Sequence, residues 1–237
     1  MPELPELSVP EPLPPGLYVV GTPIGHLADM TMRAIDTLRQ VDTILAEDTR
    51  HTIKLLSHYD IHTPLVSCHK FNEAKRSEFI VRRIQAGAAL ALVSDAGMPG
   101  VSDPGGRVVA ACRSAQCNVF VVPGASAVTA AVSLSGMGGD RFHFEGFLSP
   151  KSATRRRRLA ALLQFDVPVV LYESPHRAMK LLDELADLAP DRRVLIGREL
   201  TKKFEQSFVM TALECRDYFS THTTKGEWVV VIEPCNS

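Results

Sequence analysis

Five short apolar runs in the first half of the chain constrain its fold most. They lie at Leu17–Val20, Val41–Ala46, Pro64–Ser67, Ala88–Val93 and Asn118–Val122. None alternates apolar with polar residues, as a strand with one wet face would. Helical patterns follow them. In Thr31–Gln40, Ala34, Ile35 and Leu38 fall at helical spacing and Thr31 stands in the capping position. Others run from Glu47-Asp48-Thr49-Arg50 to about Tyr59, over Glu73–Ala86 and around Val108–Cys112. Apolar strands alternating with helices make a parallel sheet covered on both faces. Residues 16–138 are therefore expected as a doubly wound α/β domain, closed by a helix over Ala125–Ser135 and a linker at Gly136–Gly139.

The second half has a different rhythm. Strands are expected at Arg141–Gly146, Val167–Tyr172, Arg193–Arg198, Phe204–Met210 and Trp228–Glu233, and helices at Arg155–Leu163, Arg177–Leu188 and Ala212–Phe219. Two strands in succession near 193–210 predict a hairpin, hence a mixed sheet in a C-terminal α/β domain over 139–237. Residues 1–15 hold six Pro and three Glu and are expected as a flexible tail.

Composition excludes several classes. No apolar run approaches the about 20 residues that span a bilayer, and no basic and apolar leader opens the chain. A membrane partner is not expected. The formal net charge of −1 does not announce a nucleic-acid partner, so any RNA surface must be a local patch. Five cysteines without a CxxC spacing fit free thiols in a reducing, cytoplasmic setting. His58 and His62 flank a helix end without the H-E-x-x-H pattern, so no metal site is expected.

The segment Ser94–Gly106, S-D-A-G-M-P-G-V-S-D-P-G-G, follows the fourth strand. Its glycines and prolines forbid a helix or a central strand. It is a loop at the carboxyl end of a strand, where open α/β sheets bind ligands. Asp103, just before Pro104, is expected to cap the next helix. Gly21-Thr22-Pro23-Ile24-Gly25 follows the first strand but lacks the dinucleotide fingerprint, and the chain has no G-K-[ST] phosphate loop. Gly124-Ala125-Ser126-Ala127 lacks the second glycine of a nucleophile elbow.

Polar clusters close other strands. At Glu47–Arg50, the carboxylates of Glu47 and Asp48 and the Arg50 guanidinium could hold a polar substrate, or Asp48 caps the next helix. Tyr172–Arg177 and Arg198–Glu205 gather Glu, His, Arg and Lys at two further strand ends, as a site or a surface ion-pair network would. Lys151–Arg158 opens a helix with four consecutive arginines, Arg155, Arg156, Arg157 and Arg158. That run is either a solvated helix face or a set of phosphate contacts.

Six segments together carry a resemblance. They are L-Y-V-V-G-T-P-I-G-H-L-A-D-M-T, A-E-D-T-R, V-S-D-A-G-M-P-G-V-S-D-P-G, V-P-G-A-S-A-V-T-A-A, Y-E-S-P-H-R and R-E-L-T-K-K-F-E. The chain resembles the tetrapyrrole methylase superfamily of S-adenosylmethionine-dependent methyltransferases. Within it, the chain looks like the branch that 2′-O-methylates a cytidine ribose in small-subunit (16S) ribosomal RNA. His26 stands where that branch usually has Asn.

The resemblance implies two α/β domains with the cofactor in the cleft between them, and a homodimer. It places Ile24, Ser94, Asp95, Ala96, Gly97, Val101, Ser126, Ala127, Glu173 and Leu200 at the cofactor. Candidate bases or orienting groups are Asp48, Glu199, Lys202 and Glu205. Arg50, His176, Arg177 and the four arginines of the run are candidates for RNA phosphates. Partners would be small-subunit ribosomal RNA or the assembled small subunit. Long members of the branch carry an extra C-terminal helical module, which has no counterpart in this sequence. Two alternatives stand beside this reading: a methylase of the same fold acting on a tetrapyrrole or other small molecule, and a non-catalytic RNA-binding protein of ribosome assembly.

Overall fold

The computed structural model describes residues 12–235. The chain divides into two compact units. One gathers the chain up to Thr22 with Ala28–Gly124, and the other gathers Pro23–Leu27 with Ala125 onward.

In the first unit, strands β1 (Gly16–Val20), β2 (Thr43–Ala46), β3 (Leu65–Ser67), β4 (Ala89–Val93) and β5 (Val119–Val122) form one sheet in the order β3-β2-β4-β1-β5. Every pairing is parallel. Helices α1 (Met32–Gln40), α2 (Thr49–His58), α3 (Glu73–Gln85) and α4 (Gly106–Ser114) connect them. Two separate apolar clusters cover the sheet. One holds Tyr18, Val20, Ile44 and Ala91 with Ala34 and Leu38 of α1, and the other holds Leu17, Leu45, Leu90 and Leu92 with Ile80 of α3 and Val108 of α4. Successive residues of one strand point to opposite faces, so both faces are dry and the runs read as continuous. Thr31 caps α1 through its side chain, which accepts from the Ala34 N–H at 3.1 Å.

Of the Pro-rich stretch, residues 1–11 lie outside the described residues. Residues 12–15 are tied down. The Tyr18 hydroxyl donates to the Pro14 carbonyl at 2.8 Å, and Leu13 packs against the core.

In the second unit, β6 (His143–Phe147), β7 (Val169–Glu173), β8 (Arg193–Arg198), β9 (Gln206–Thr211) and β10 (Trp228–Ile232) form a mixed sheet in the order β6-β7-β10-β8-β9. β6 pairs with β7 in parallel, and the other pairs are antiparallel, including the expected β8–β9 hairpin. Helices α5 (Ala127–Ser135), α6 (Ser152–Leu162), α7 (Ala178–Leu188) and α8 (Ala212–Thr221) complete the unit. α6, α7 and α8 bury Leu159, Leu181 and Phe219 in one cluster with Leu171, Ile196 and Trp228.

The boundary differs from the expected linker at 136–139. α5 buries Val128, Ala131 and Val132 against Val170, Leu195 and Val229 of the mixed sheet, so it packs as a second-unit helix. Gly136 is its left-handed cap, with φ of 63°, and no inter-unit joint. Among the described residues, no helix is long and apolar enough to cross a membrane, and no group of His, Cys, Asp and Glu is arranged to hold a metal ion.

Candidate functional site

In the first unit the carboxyl ends of β1, β4 and β5 converge on bare backbone. Thr22 and Gly97 exchange both backbone hydrogen bonds, at 2.9 and 3.1 Å. The Thr22 hydroxyl also donates to the Ser94 carbonyl at 3.2 Å, and the buried Ser94 hydroxyl donates to the Ala96 carbonyl at 3.3 Å. The loop after β4 is thereby pinned to the end of β1, with Gly97 at a φ of 77° that suits glycine. A Cβ on Gly21 would lie 2.7 Å from Gly124 Cα, so these two strand ends touch through glycine. Val101 is exposed farther along the same loop.

Carboxylates gather beside that loop. Asp95 Oδ1 accepts the Asp48 backbone N–H at 3.1 Å, linking the ends of β4 and β2. Asp48 itself caps α2: its Oδ1 accepts the Arg50 N–H at 2.9 Å, and the Arg50 guanidinium grips both oxygens, at 3.1 and 2.7 Å. Those bonds to Arg50 hold the Asp48 carboxyl well below the usual carboxylate range. An acid that holds its proton so weakly is a poor base near neutrality, and the Asp48 carboxylate is engaged as the cap of α2.

Glu47, the other carboxylate at this strand end, is not among the bases expected from the sequence. Partial burial, and then the nearby charges of Asp103, Asp95 and Asp48, push its carboxyl up to about 7. Its position at the end of β2 was visible in the sequence, but the environment that perturbs it comes from two distant loop positions.

Asp103 is not the N-cap residue of α4. The N-cap is Gly105, with φ of 127° and no side-chain bond. The buried Glu73 of α3 serves instead: its Oε1 accepts the N–H groups of Gly105, Arg107 and Val108 at 3.0, 2.8 and 3.4 Å. A carboxylate from another helix satisfies the orphan donors that a local cap would otherwise take.

In the second unit, the loop Glu199–Glu205 carries two non-glycine residues in the left-handed region, Glu199 at 52° and Thr201 at 66°. Lys202 Nζ bridges Glu199 Oε1 at 3.1 Å and Glu227 Oε2 at 3.0 Å. Burial pulls the ammonium pKa down, but the bonds to Glu227 and Glu199 outweigh it and raise the value. Lys202 is therefore a fixed cation and no proton acceptor. Glu199 stays ionised: burial opposes its charge, and the Glu227 N–H and Lys202 overcome it. Glu205 Oε2 accepts the Thr201 N–H at 2.7 Å, so it closes the loop. The segment Pro23–Leu27 braces the same loop. The His26 N–H donates to Thr201 Oγ1 at 3.0 Å, and a Cβ on Gly25 would lie 2.6 Å from that oxygen.

Ile24 and Leu200 share one apolar cluster with Val128 and Val170, which commits their side chains to packing. Ser126 is the N-cap residue of α5, and Ala127 begins that helix. Glu173 ends β7. Its Oε1 accepts from Arg177, at 2.7 Å, and from the Ser174 N–H, at 2.7 Å. Its Oε2 is buried and has no hydrogen-bond partner among the described residues.

The arginines divide. Arg155 is 2% exposed and forks onto Glu184, with Nε to Oε2 at 2.8 Å and Nη2 to Oε1 at 2.7 Å. It lies on the face of α6 that buries Leu159 and Leu162, so it is a core ion pair and not an RNA contact. Arg177 is held by Glu173, the Ser174 hydroxyl and the Leu148 carbonyl, which makes it a brace for two loops rather than a free phosphate ligand. Arg156 pairs with Asp187 at 3.0 Å, and Arg158 forks onto Glu145. Arg157 is exposed and, among the described residues, pairs with no carboxylate. Arg50 and His176 are exposed.

The family described as Tetrapyrrole (Corrin/Porphyrin) Methylases matches residues 16–215. The chain belongs to the tetrapyrrole methylase family. It is 49% identical over 217 residues to the ribosomal RNA small subunit methyltransferase I of Synechocystis sp., covering 91% of this chain and 78% of that protein. It is 44% identical over 216 residues to the protein of the same name from Thermotoga maritima, covering 91% and 97%. A solved structure, the uroporphyrin-III C-methyl transferase of Thermus thermophilus complexed with S-adenyl homocysteine, superposes with a TM-score of 0.63 at 17% identity, covering 91% of this chain and 96% of that one.

Tetrapyrrole methylases draw their methyl group from S-adenosylmethionine, and this chain is a methyltransferase of that kind. Its residues fit such a cofactor. A loop of small residues lets a ligand approach backbone, and the carboxylates of Glu47, Asp95 and Asp103 suit a cationic sulfonium.

Proposed function

We propose that the protein methylates the 2′-oxygen of a cytidine ribose in small-subunit ribosomal RNA. The observation that carries the substrate class is the 49% identity over 217 residues to a relative named as a ribosomal RNA small subunit methyltransferase. The loop Ser94–Val101 is the proposed cofactor cradle, through Ser94, Asp95, Ala96, Gly97 and Val101. By the family resemblance, Ile24, Ser126, Ala127, Glu173 and Leu200 of the second unit are cofactor contacts as well, mostly through backbone except at Glu173.

The bound cofactor supplies a methyl group already activated on a sulfonium. The protein must then align the acceptor and take its proton. Glu47 is the proposed base: a carboxyl titrating at about 7 is matched to proton transfer near neutrality. Lys202, held between Glu199 and Glu227, is the proposed fixed cation for an RNA phosphate or developing oxyanion. Arg50 and His176 are proposed to add further RNA contacts from exposed positions. A homodimer, expected from the family resemblance, belongs to the same reading and is checked by light scattering.

The test pairs cofactor titration by calorimetry with methyl transfer to small ribosomal subunits. Lys202→Ala and Glu199→Ala are expected to keep cofactor binding and lose transfer. Unchanged turnover in both variants, or transfer to a tetrapyrrole and not to subunits, contradicts the proposal.

A further inference from the structure

An open depression of about 440 Å³ lies in the second unit where β6 ends and α6 begins. Phe147, Ser149, Thr154, Arg157 and Arg158 line it, together with Glu145. It belongs to neither the first-unit loop nor the Lys202 cluster. Its construction explains an irregularity in β6. The ladder pairs Phe144 with Val170, and then Gly146 with Leu171 and Phe147 with Tyr172, so Glu145 is an extra residue. Such a bulge changes which way the following side chains point. Without it, Phe144 and Phe147, three residues apart, would fall on opposite faces of the strand. With it, they oppose Val170 and Tyr172, two residues apart and on one face. Both phenylalanines accordingly reach Tyr172, with ring centroids 5.0 and 5.6 Å away.

Phe147 is thus fixed by an aromatic neighbour while remaining 53% exposed. A ring held in place at the end of a strand and still exposed offers an open face on which a planar group can stack. The polar groups around it have a definite sign. Arg158 is locked on Glu145 at 2.7 and 2.6 Å, and His143 bonds the same carboxylate at 2.8 Å. The Arg158 bond leads in holding Glu145 down to about 2, so the carboxylate stays ionised against Arg158. Arg157 has no such partner among the described residues and supplies an uncompensated positive charge. Ser149 and Thr154 add neutral hydroxyls.

From this we infer that the depression holds one unpaired nucleotide of single-stranded RNA, its base stacked on Phe147 and a flanking phosphate on Arg157. An aromatic platform beside a cation is the arrangement that binds single strands whatever the base. The inference rests on the ribosomal RNA reading proposed above and adds where a nucleotide is held.

The test measures binding of a fluorescein-labelled single-stranded decamer of cytidine and uridine to the full chain, alongside calorimetric affinity for S-adenosylhomocysteine. Phe147→Leu keeps an apolar side chain and is expected to weaken decamer binding by about ten-fold, whereas Phe147→Trp retains it. Arg157→Ala is expected to flatten the log affinity against log salt by about 0.7, the value of one single-strand phosphate contact. Cofactor affinity stays unchanged in all three. Equal decamer affinity in wild type, Phe147→Leu and Arg157→Ala overturns the inference while leaving methyl transfer to subunits intact. A wild-type protein that binds no decamer and methylates no subunits overturns both readings, and loss of cofactor affinity in Phe147→Leu overturns this one by marking a general disturbance of the fold.

Discussion

Replacing Glu47 by Gln separates the electrostatic account of the first unit from any simpler one. The carboxyl titrates at about 7 in the folded chain against an ordinary 4.5, through burial first and then Asp103, Asp95 and Asp48. Because the folded value lies above the unfolded one, folding takes up a proton between the two. Stability that is whole below about 4.5 is lost as pH rises through about 7, and it stays lost above. The full rise corresponds to about 3 kcal/mol. Glu47 is only half-buried, and solvent screening reduces the expected effect to about 1–2 kcal/mol. Gln removes the ionisation and keeps the shape. Thermal unfolding by circular dichroism, with the two units' transitions fitted separately, reads the outcome. At pH 4 the variant and wild type should agree, and at pH 8 the variant's first unit should be more stable by that amount. The same variant should lose methyl transfer by about 10²–10⁴-fold, the usual contribution of a general base. A variant that is less stable at pH 8, or a difference that does not depend on pH, refutes the reasoning. A variant that gains stability at pH 8 and retains full turnover refutes Glu47 as the base alone.

Two other substitutions test how the scaffold is held. Arg155→Ala leaves Glu184 buried without its partner and should destabilise the second unit by about 3–5 kcal/mol in urea unfolding, far more than the loss of an RNA contact would; near-neutral stability contradicts the core assignment. Glu73→Ala removes the acceptor of three N–H groups at the start of α4 and should cost about 1–3 kcal/mol, with hydrogen exchange accelerated at Gly105, Arg107 and Val108. Protection unchanged at those amides contradicts Glu73 as the cap.

The elements were legible because their determinants are local. Dry strands such as β4 and β10 read as unbroken apolar runs, and the Thr31 cap lies three residues from the N–H it binds. What the sequence hid depends on distant partners. The Gly136–Gly139 stretch carries the turn chemistry of a linker, yet α5 before it packs on the mixed sheet, a choice made by Val170, Leu195 and Val229. Asp103 was the nearby acid for α4, but a residue thirty positions earlier reaches that end first. The arginine run shows a signal that was available. Arg155, Leu159 and Leu162 fall at i, i+4 and i+7, one stripe of a helix, and that spacing assigns Arg155 to the buried face while Arg157 is left outside. At the candidate site, the loop after β4 was readable from its glycines and prolines, and the touching of Gly21 and Gly124 was not, because β1 and β5 meet only in the sheet. The carboxylate cluster around Glu47 was not, because Asp95 and Asp103 join it only once β4 pairs beside β2.

The central claim is met most directly by mapping the methyl group. Small ribosomal subunits lacking the modification are incubated with the protein and labelled S-adenosylmethionine, and the RNA is hydrolysed in alkali, which spares the bond next to a 2′-O-methylated ribose. The account predicts label in one alkali-resistant dinucleotide carrying cytidine. Label on a base, label confined to a small tetrapyrrole acceptor, or no transfer to subunits by a protein that binds the cofactor would contradict it.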